Sequence, residues 1–189
     1  MKKVTLAAIA ALAFNLSHAV EVEGFKFDDR IKLGSSELVV NGTGVRSKFG
    51  KRYVMALYLP AKAGDTKGVL AAKGPKRIAI SLIKDVSGDT FASAVTKGIN
   101  NNSSDAEQAS LKERVKQLSD TVIALDEIKA GSSIVFDWVP EKGTILTING
   151  QTKGKEIAGE DFFAALLKVW LGEDPVQNDL KQGLLGKAG

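Results

Sequence analysis

Residues 39–60 read VVNGTGVRSKFGKRYVMALYLP, and the fold turns on how this stretch is taken. β-Branched and aromatic residues fill both of its ends, so residues 38–45 and 53–59 read as strands of a sheet with one face covered. Both of the chain's tyrosines lie in the second run. Tyr53 and Tyr58 are five residues apart, and an odd spacing sends them to opposite faces of a strand. Arg46 falls between the glycine-broken segment and that run, and it has two readings. One is a charge on a solvated strand face, the ordinary place for arginine. The other is a guanidinium turned into an apolar pocket, where its planar fork holds a carboxylate, an enolate or a phenolate by paired charge-assisted bonds. Tyr53 is placed to add a hydroxyl to the same anion.

Working outward, residues 20–27 alternate briefly across Gly24, and Ile78, Ile80 and Leu82 alternate with more polar neighbours. Residues 133–139 and 144–148 repeat the pattern, and Asn149-Gly150 is a type I′ turn signal leading into a further strand over 151–157. Helices carry their own punctuation. Residues 89–99 read as a short helix, followed by a polar connector over 100–103. Ser104-Asp105-Ala106-Glu107 fits a capping box, after which Leu111, Val115, Leu118, Val122 and Leu125 mark one apolar helical face. Residues 160–171 form an apolar helix ending at Gly172, and a last helix is predicted to be capped by Asp174, to open at Pro175 and to run to Leu185. Strands, then helices, then strands and helices without a linker imply one α+β domain over 20–189, an antiparallel sheet with helices packed on it.

The first residues read as a leader. Met1-Lys2-Lys3 is cationic, residues 4–16 are almost unbroken apolar, and Ser17-His18-Ala19 has the small-x-small form of a signal peptidase site. Cleavage after Ala19 and export to the periplasm are expected. No later segment approaches the roughly 20 apolar residues of a membrane span. The single histidine, His18, lies in the leader, and the chain has no cysteine. The exported chain therefore offers no thiol or imidazole nucleophile, no Ser-His-Asp triad, and none of the imidazole or thiolate ligands of an ordinary zinc or copper site; no metal and no cofactor is expected. Without disulfides, stability rests on burial, for which the roughly 170 remaining residues suffice.

Charge adds little. Without Lys2 and Lys3 the 26 basic residues fall to 24 against 22 acids, and they are scattered rather than gathered in a stripe, so nucleic acid is not an expected partner. Gly42-Thr43-Gly44 has Ser47 where a dinucleotide fingerprint needs a third glycine, and residues 150–156 miss the P-loop spacing by one. The acidic pairs Asp28-Asp29, Glu160-Asp161 and Glu173-Asp174 fall at turns and helix starts, where carboxylates cap backbone N–H groups.

The stretch NGTGVRSKFGKRYVMALYL resembles the signature segment of the chalcone isomerase superfamily, whose plant members have Gly-Ala-Gly-Val-Arg before a strand ending in Val-Tyr-Leu. VSGDTFASAVTKGINN resembles its short helix after a strand, and FFAALLKVWLGEDPVQNDLKQGLLG its C-terminal helix pair. With the leader, the three motifs in order resemble an exported bacterial branch. The resemblance implies an open-faced β-sandwich, with a large antiparallel sheet flanked by helices and a ligand cleft between them. It places the family's catalytic arginine on Arg46 and its threonine near Tyr53. The family's active-site tyrosine, lysine and asparagine fall on Phe91, Ala94 and Gly98, where all three polar groups are missing.

Each lost hydrogen-bonding group at such a site costs about 2.7–4 kcal/mol of transition-state stabilisation. What the resemblance leaves is Arg46 in a cavity lined by Tyr53, Phe91, Ala94 and Gly98. That suits a small apolar anion, a fatty acid or a phenolic, held without catalysis, as in the superfamily's fatty-acid-binding members. Two alternatives stand beside it: an isomerase of the intramolecular lyase type using Arg46 to stabilise an enolate, and a structural or interaction module with a vestigial cleft.

Overall fold

The strand periodicity builds a sheet with two buried faces. A computed structural model describes residues 19–187; apart from Ala19, the expected leader lies outside them. In chain order the elements are β1 (Ala19–Val22), β2 (Phe25–Asp28), β3 (Arg30–Leu33), β4 (Ser36–Ser47), β5 (Lys51–Leu59), α1 (Thr66–Ala71), β6 (Lys76–Leu82), β7 (Val86–Ser87), α2 (Gly88–Asn101), α3 (Asp105–Ile123), β8 (Glu127–Ile128), β9 (Ser133–Val139), β10 (Gly143–Ile148), β11 (Gln151–Ile157), α4 (Glu160–Leu171) and α5 (Asn178–Leu184). Seven strands form one antiparallel sheet in the order β11-β10-β9-β6-β5-β4-β3.

Alternation along β5 assigns its side chains to the two faces. Tyr53, Met55, Leu57 and Leu59 join a large cluster beneath α2, α3 and α4. Val54, Ala56 and Tyr58 join a second cluster on the other face, covered by Val20, Val22, Phe25 and Phe27. The tyrosines therefore lie on opposite faces, as their odd spacing requires. Residues 20–27, expected as one strand, are two: Glu23 and Gly24 both take positive φ, 53° and 80°, which folds the segment into a β1–β2 hairpin.

The helices follow their caps. Ser104 and Glu107 complete the capping box of α3, and Leu111, Leu118 and Val122 are its buried residues. In α4, eight of the twelve residues are buried, Trp170 among them, so this helix is the main lid of the sheet. The last helix departs from expectation. It starts at Asn178 with Gln177 at the N-cap position, because Asp174 is bound elsewhere: its carboxylate accepts from Asn101 (2.6 Å), its carbonyl from Asn102 (2.9 Å). Val176 N–H then donates to Val169 C=O (3.0 Å), holding the connection against α4.

Two glycines of β4 explain where α5 lies. A Cβ on Gly42 would strike the Gly183 carbonyl, one on Gly44 would come within 2.7 Å of Leu180 Cδ1, and one on Gly183 would strike the Thr43 carbonyl. Helix and strand thus meet backbone to backbone. Asn41, 3% exposed, locks the contact: its Nδ2 donates to Ala63 O (3.0 Å) and Leu184 O (2.8 Å), and its Oδ1 accepts from Ala63 N (2.7 Å). A buried group left without its partner costs about 1–3 kcal/mol. Asn41→Ala should therefore lower the unfolding free energy by at least that much in urea melts. Gly42→Ala should speed hydrogen exchange of the α5 amides more than those of α2.

Candidate functional site

Arg46 and Tyr53 stand directly across the β4–β5 ladder from each other, both half-buried. Tyr53 faces the helices and accepts a hydrogen bond from Trp170 Nε1 (2.8 Å), an indole only 2% exposed. Burial pushes the Tyr53 phenol up to about 12, against the smaller lowering effects of the Trp170 hydrogen bond and the Arg46 charge. It is therefore neutral at any physiological pH. Since its oxygen already receives the indole N–H, its own proton is free to be donated.

The guanidinium of Arg46 donates through Nη1 to Ser47 O (3.0 Å) and to Gln177 Oε1 (3.1 Å). Gln177 does more than meet the arginine. Its Oε1 also accepts from Ser47 N (2.8 Å) and its Nε2 donates to Val45 O (3.1 Å). The sheet explains why. β3 pairs with β4 only over Ser36 to Val39, so the rest of that edge has backbone groups to satisfy, and a side-chain amide satisfies two of them.

What distinguishes Arg46 is the absence of an acid. Three arginines among the described residues are half-buried. Arg77 is held by Asp137 through two bonds (2.6 and 2.7 Å), and Arg114 by Asp161 through two more (2.7 Å each). Their carboxylates raise the pKa of Arg77 and Arg114 above the usual value. Arg46 has only neutral oxygens as partners among the described residues.

The other expected site residues are spread along α2. Phe91 is buried and stacked on Phe136, ring centroids 6.5 Å apart and planes within 9°. Gly98 is buried where a Cβ would lie 2.7 Å from Val169 Cγ1, so it seats α2 on α4. Ala94 is exposed, at the margin of the buried stripe, one helical turn from Phe91 and from Gly98. The structure thus brings Arg46 and Tyr53 together, keeps Phe91 and Gly98 within the packed interior, and leaves Ala94 outside. Trp170 and Gln177 complete the cluster, and neither was singled out by sequence. Trp170 is one apolar residue in an apolar helix, and Gln177 sits in a polar connection whose path depends on α5. A cleft of about 1060 Å³ opens elsewhere, where Thr66, Lys67 and Leu70 of α1 face Lys168, Leu171 and Lys181.

Tyr53→Phe strands the buried indole N–H of Trp170 and should cost about 1–3 kcal/mol in unfolding free energy. In Tyr58→Phe protein the remaining phenol should ionise near 12 in an absorbance titration, rather than near 10. A raised folded-state pKa gives stability that is full below the unfolded value of 10 and lost as pH rises through about 12; denaturation across that window checks the sign.

Residues 19–186 match a family model described as chalcone isomerase-like. Among solved structures, the crystal structure of a fatty-acid binding protein from Arabidopsis thaliana aligns at a TM-score of 0.68, with 15% identity, covering 89% of this chain and 96% of that one. At that identity the likeness is one of fold. No curated protein matches the chain.

Proposed function

This chain belongs to the chalcone isomerase-like family, and from that premise we propose that it is an exported, non-catalytic binding protein for a small apolar anion such as a fatty acid, with Arg46 as the anion clamp. One observation carries the reading: Arg46 is the half-buried arginine without an acid. A half-buried guanidinium given only neutral acceptors retains most of its capacity for a carboxylate.

The geometry supplies a binding step. Gln177 Oε1 occupies a point reached by two donors, Ser47 N and Arg46 Nη1. A ligand carboxylate oxygen in its place meets the same two donors with a full charge, and charge-assisted bonds are roughly twice as strong as neutral ones. The Tyr53 proton is available to the second oxygen. Gln177 acts as a placeholder that yields to the ligand. The structural neighbour whose name records fatty-acid binding supports this choice of ligand.

A second reading has a specific observation in its favour. Arg46 and Tyr53 are two donors on one side, the requirement for stabilising an enolate oxygen, so an intramolecular lyase activity is testable as chalcone cyclisation lost in Arg46→Ala. Export rests on residues 1–19, and sequencing the periplasmic form should find Val20 at its start.

The binding proposal is tested by thermal shift with fatty acids of graded length. A ligand at 100 times its Kd adds about 2.7 kcal/mol of stability. Arg46→Ala should abolish that shift. Gln177→Glu, which supplies the acid internally, should abolish it too while stabilising the ligand-free protein. A shift of equal size in all three proteins would remove Arg46 from the site.

A further inference from the structure

The β4–β5 hairpin ends in a residue that the fold does not use. Phe49 is 95% exposed; the other large exposed hydrophobic among the described residues, Ile123, is 45% exposed. Its backbone lies at φ 52°, followed by Gly50 at φ 96°, with Lys48 N–H bonded to Gly50 C=O (2.9 Å). A left-handed conformation is rare for a bulky side chain, and glycine, asparagine or aspartate is the usual occupant of such a turn. An aromatic placed there is strained and also fully hydrated, with no packing in return. Strain of this kind clusters where function requires it.

The surroundings have one sign. From Arg46 to Arg52 the segment RSKFGKR holds four cations and no acid. Lys84 adds a fifth, its Nζ lying 3.4 Å from where a Cβ on Gly50 would be. Two acids are near. Glu23 is paired with Lys51 (2.6 Å), and Asp85, next to Lys84, is bound to Ala130 N (2.8 Å) and Lys129 (3.2 Å). Lys48, Arg52 and Lys84 have no acidic partner among the described residues and remain exposed around the ring.

We propose that this tip docks on an anionic lipid bilayer, Phe49 entering the interface while Lys48, Arg52 and Lys84 meet the headgroups. Aromatic side chains favour that interface, and clustered basic residues are drawn to anionic leaflets. No helix among the described residues is long and apolar enough to cross a membrane. One ring and a few cations make the contact weak, reversible and sensitive to salt. Arg46 lies three residues before Phe49 on the same hairpin, which puts the anion clamp beside the bilayer. That purpose, handing an anionic amphiphile between membrane and protein, rests on the function proposed above; the docking itself does not.

The test uses the exported chain from Val20 onward, in sedimentation with vesicles of phosphatidylcholine alone and of phosphatidylcholine with phosphatidylglycerol. Binding should be at least about tenfold tighter to the mixed vesicles at low salt and should fade as salt is raised. Phe49→Asn suits the positive φ, so it should fold with an equal or higher Tm while losing about tenfold or more in vesicle affinity. The Lys48→Glu/Arg52→Glu pair should remove the preference for phosphatidylglycerol. In vesicle-free solution Phe49→Asn should keep the fatty-acid shift of the unmodified protein, so failure of docking and failure of the Arg46 site are told apart. Equal binding to both vesicle types, or unchanged binding by Phe49→Asn, overturns the proposal. A concentration-dependent dimer abolished by Phe49→Asn does so as well, because the tip would then be a self-association surface.

Discussion

Backbone against backbone is the constraint on which the site depends. α5 crosses β4 so closely that side chains at Gly42, Gly44 or Gly183 would collide with it or with the strand. Glycine within a strand costs roughly 0.5–1 kcal/mol in chain entropy. The contact offsets this with packing and with the three hydrogen bonds of Asn41, which tie the β4 bulge to the loop after β5 and to the end of α5. Once α5 is held there, the side chain of its N-cap residue reaches the uncovered edge of β4, bonding Ser47 N and Val45 O. That is why Gln177 arrives over Arg46. The glycines of the signature segment therefore position the arginine's partner as well as the strand.

Charge is then distributed according to whether it holds the fold or waits for something else. Lys76 is 1% exposed and is met by Glu160 at the start of α4 (3.1 Å); Arg77 and Arg114 have bidentate carboxylates. Removing such a partner leaves an uncompensated half-buried charge, so these pairs are tied into the fold. Arg46 differs in kind. Its partner is an amide already engaged by two backbone groups, so on the proposed reading a carboxylate would improve the site electrostatically and release an amide that water can satisfy. An acid at residue 177 would have closed the site from within. The sequence instead has glutamine there, isosteric and uncharged.

Much of the fold was legible because it is written in local chemistry. Asn149-Gly150 takes the positive φ values, 50° and 77°, that make the β10–β11 turn, the Ser104–Glu107 box starts α3, and α4 spans 160–171 as its apolar pattern requires. Elements set by partners were not legible. β3 is four residues long and pairs only with the start of β4. α1 contains a glycine and starts where Asp65 caps Gly68 N (2.7 Å). α5 begins three residues later than Asp174-Pro175 implies, because Asn101 and Asn102 of the α2 C-terminus claim Asp174 first. For the site, Arg46 and its pairing with Tyr53 followed from strand parity and resemblance. Gln177 did not, since nothing in a polar connection announces a contact 131 residues away along the chain.

Two of the three departures from the family's catalytic pattern are built into the packing; the third, Ala94, is exposed. Where the resemblance places a tyrosine, Phe91 stacks on Phe136 in the core, where a hydroxyl would need a partner of its own. Where it places an asparagine, Gly98 lets α2 touch Val169 of α4, and even a methyl group at that position would lie 2.7 Å from Val169 Cγ1, so that the contact would have to shift. Trp170, on the same α4, then binds the Tyr53 hydroxyl. A side chain restored at Gly98 would therefore press α2 against α4, the helix whose indole holds Tyr53 beside Arg46. At Gly98, then, close packing of α4 and a polar side chain on α2 are competing solutions, and burial has been chosen; Arg46, on β4, lies outside that contact and keeps its charge.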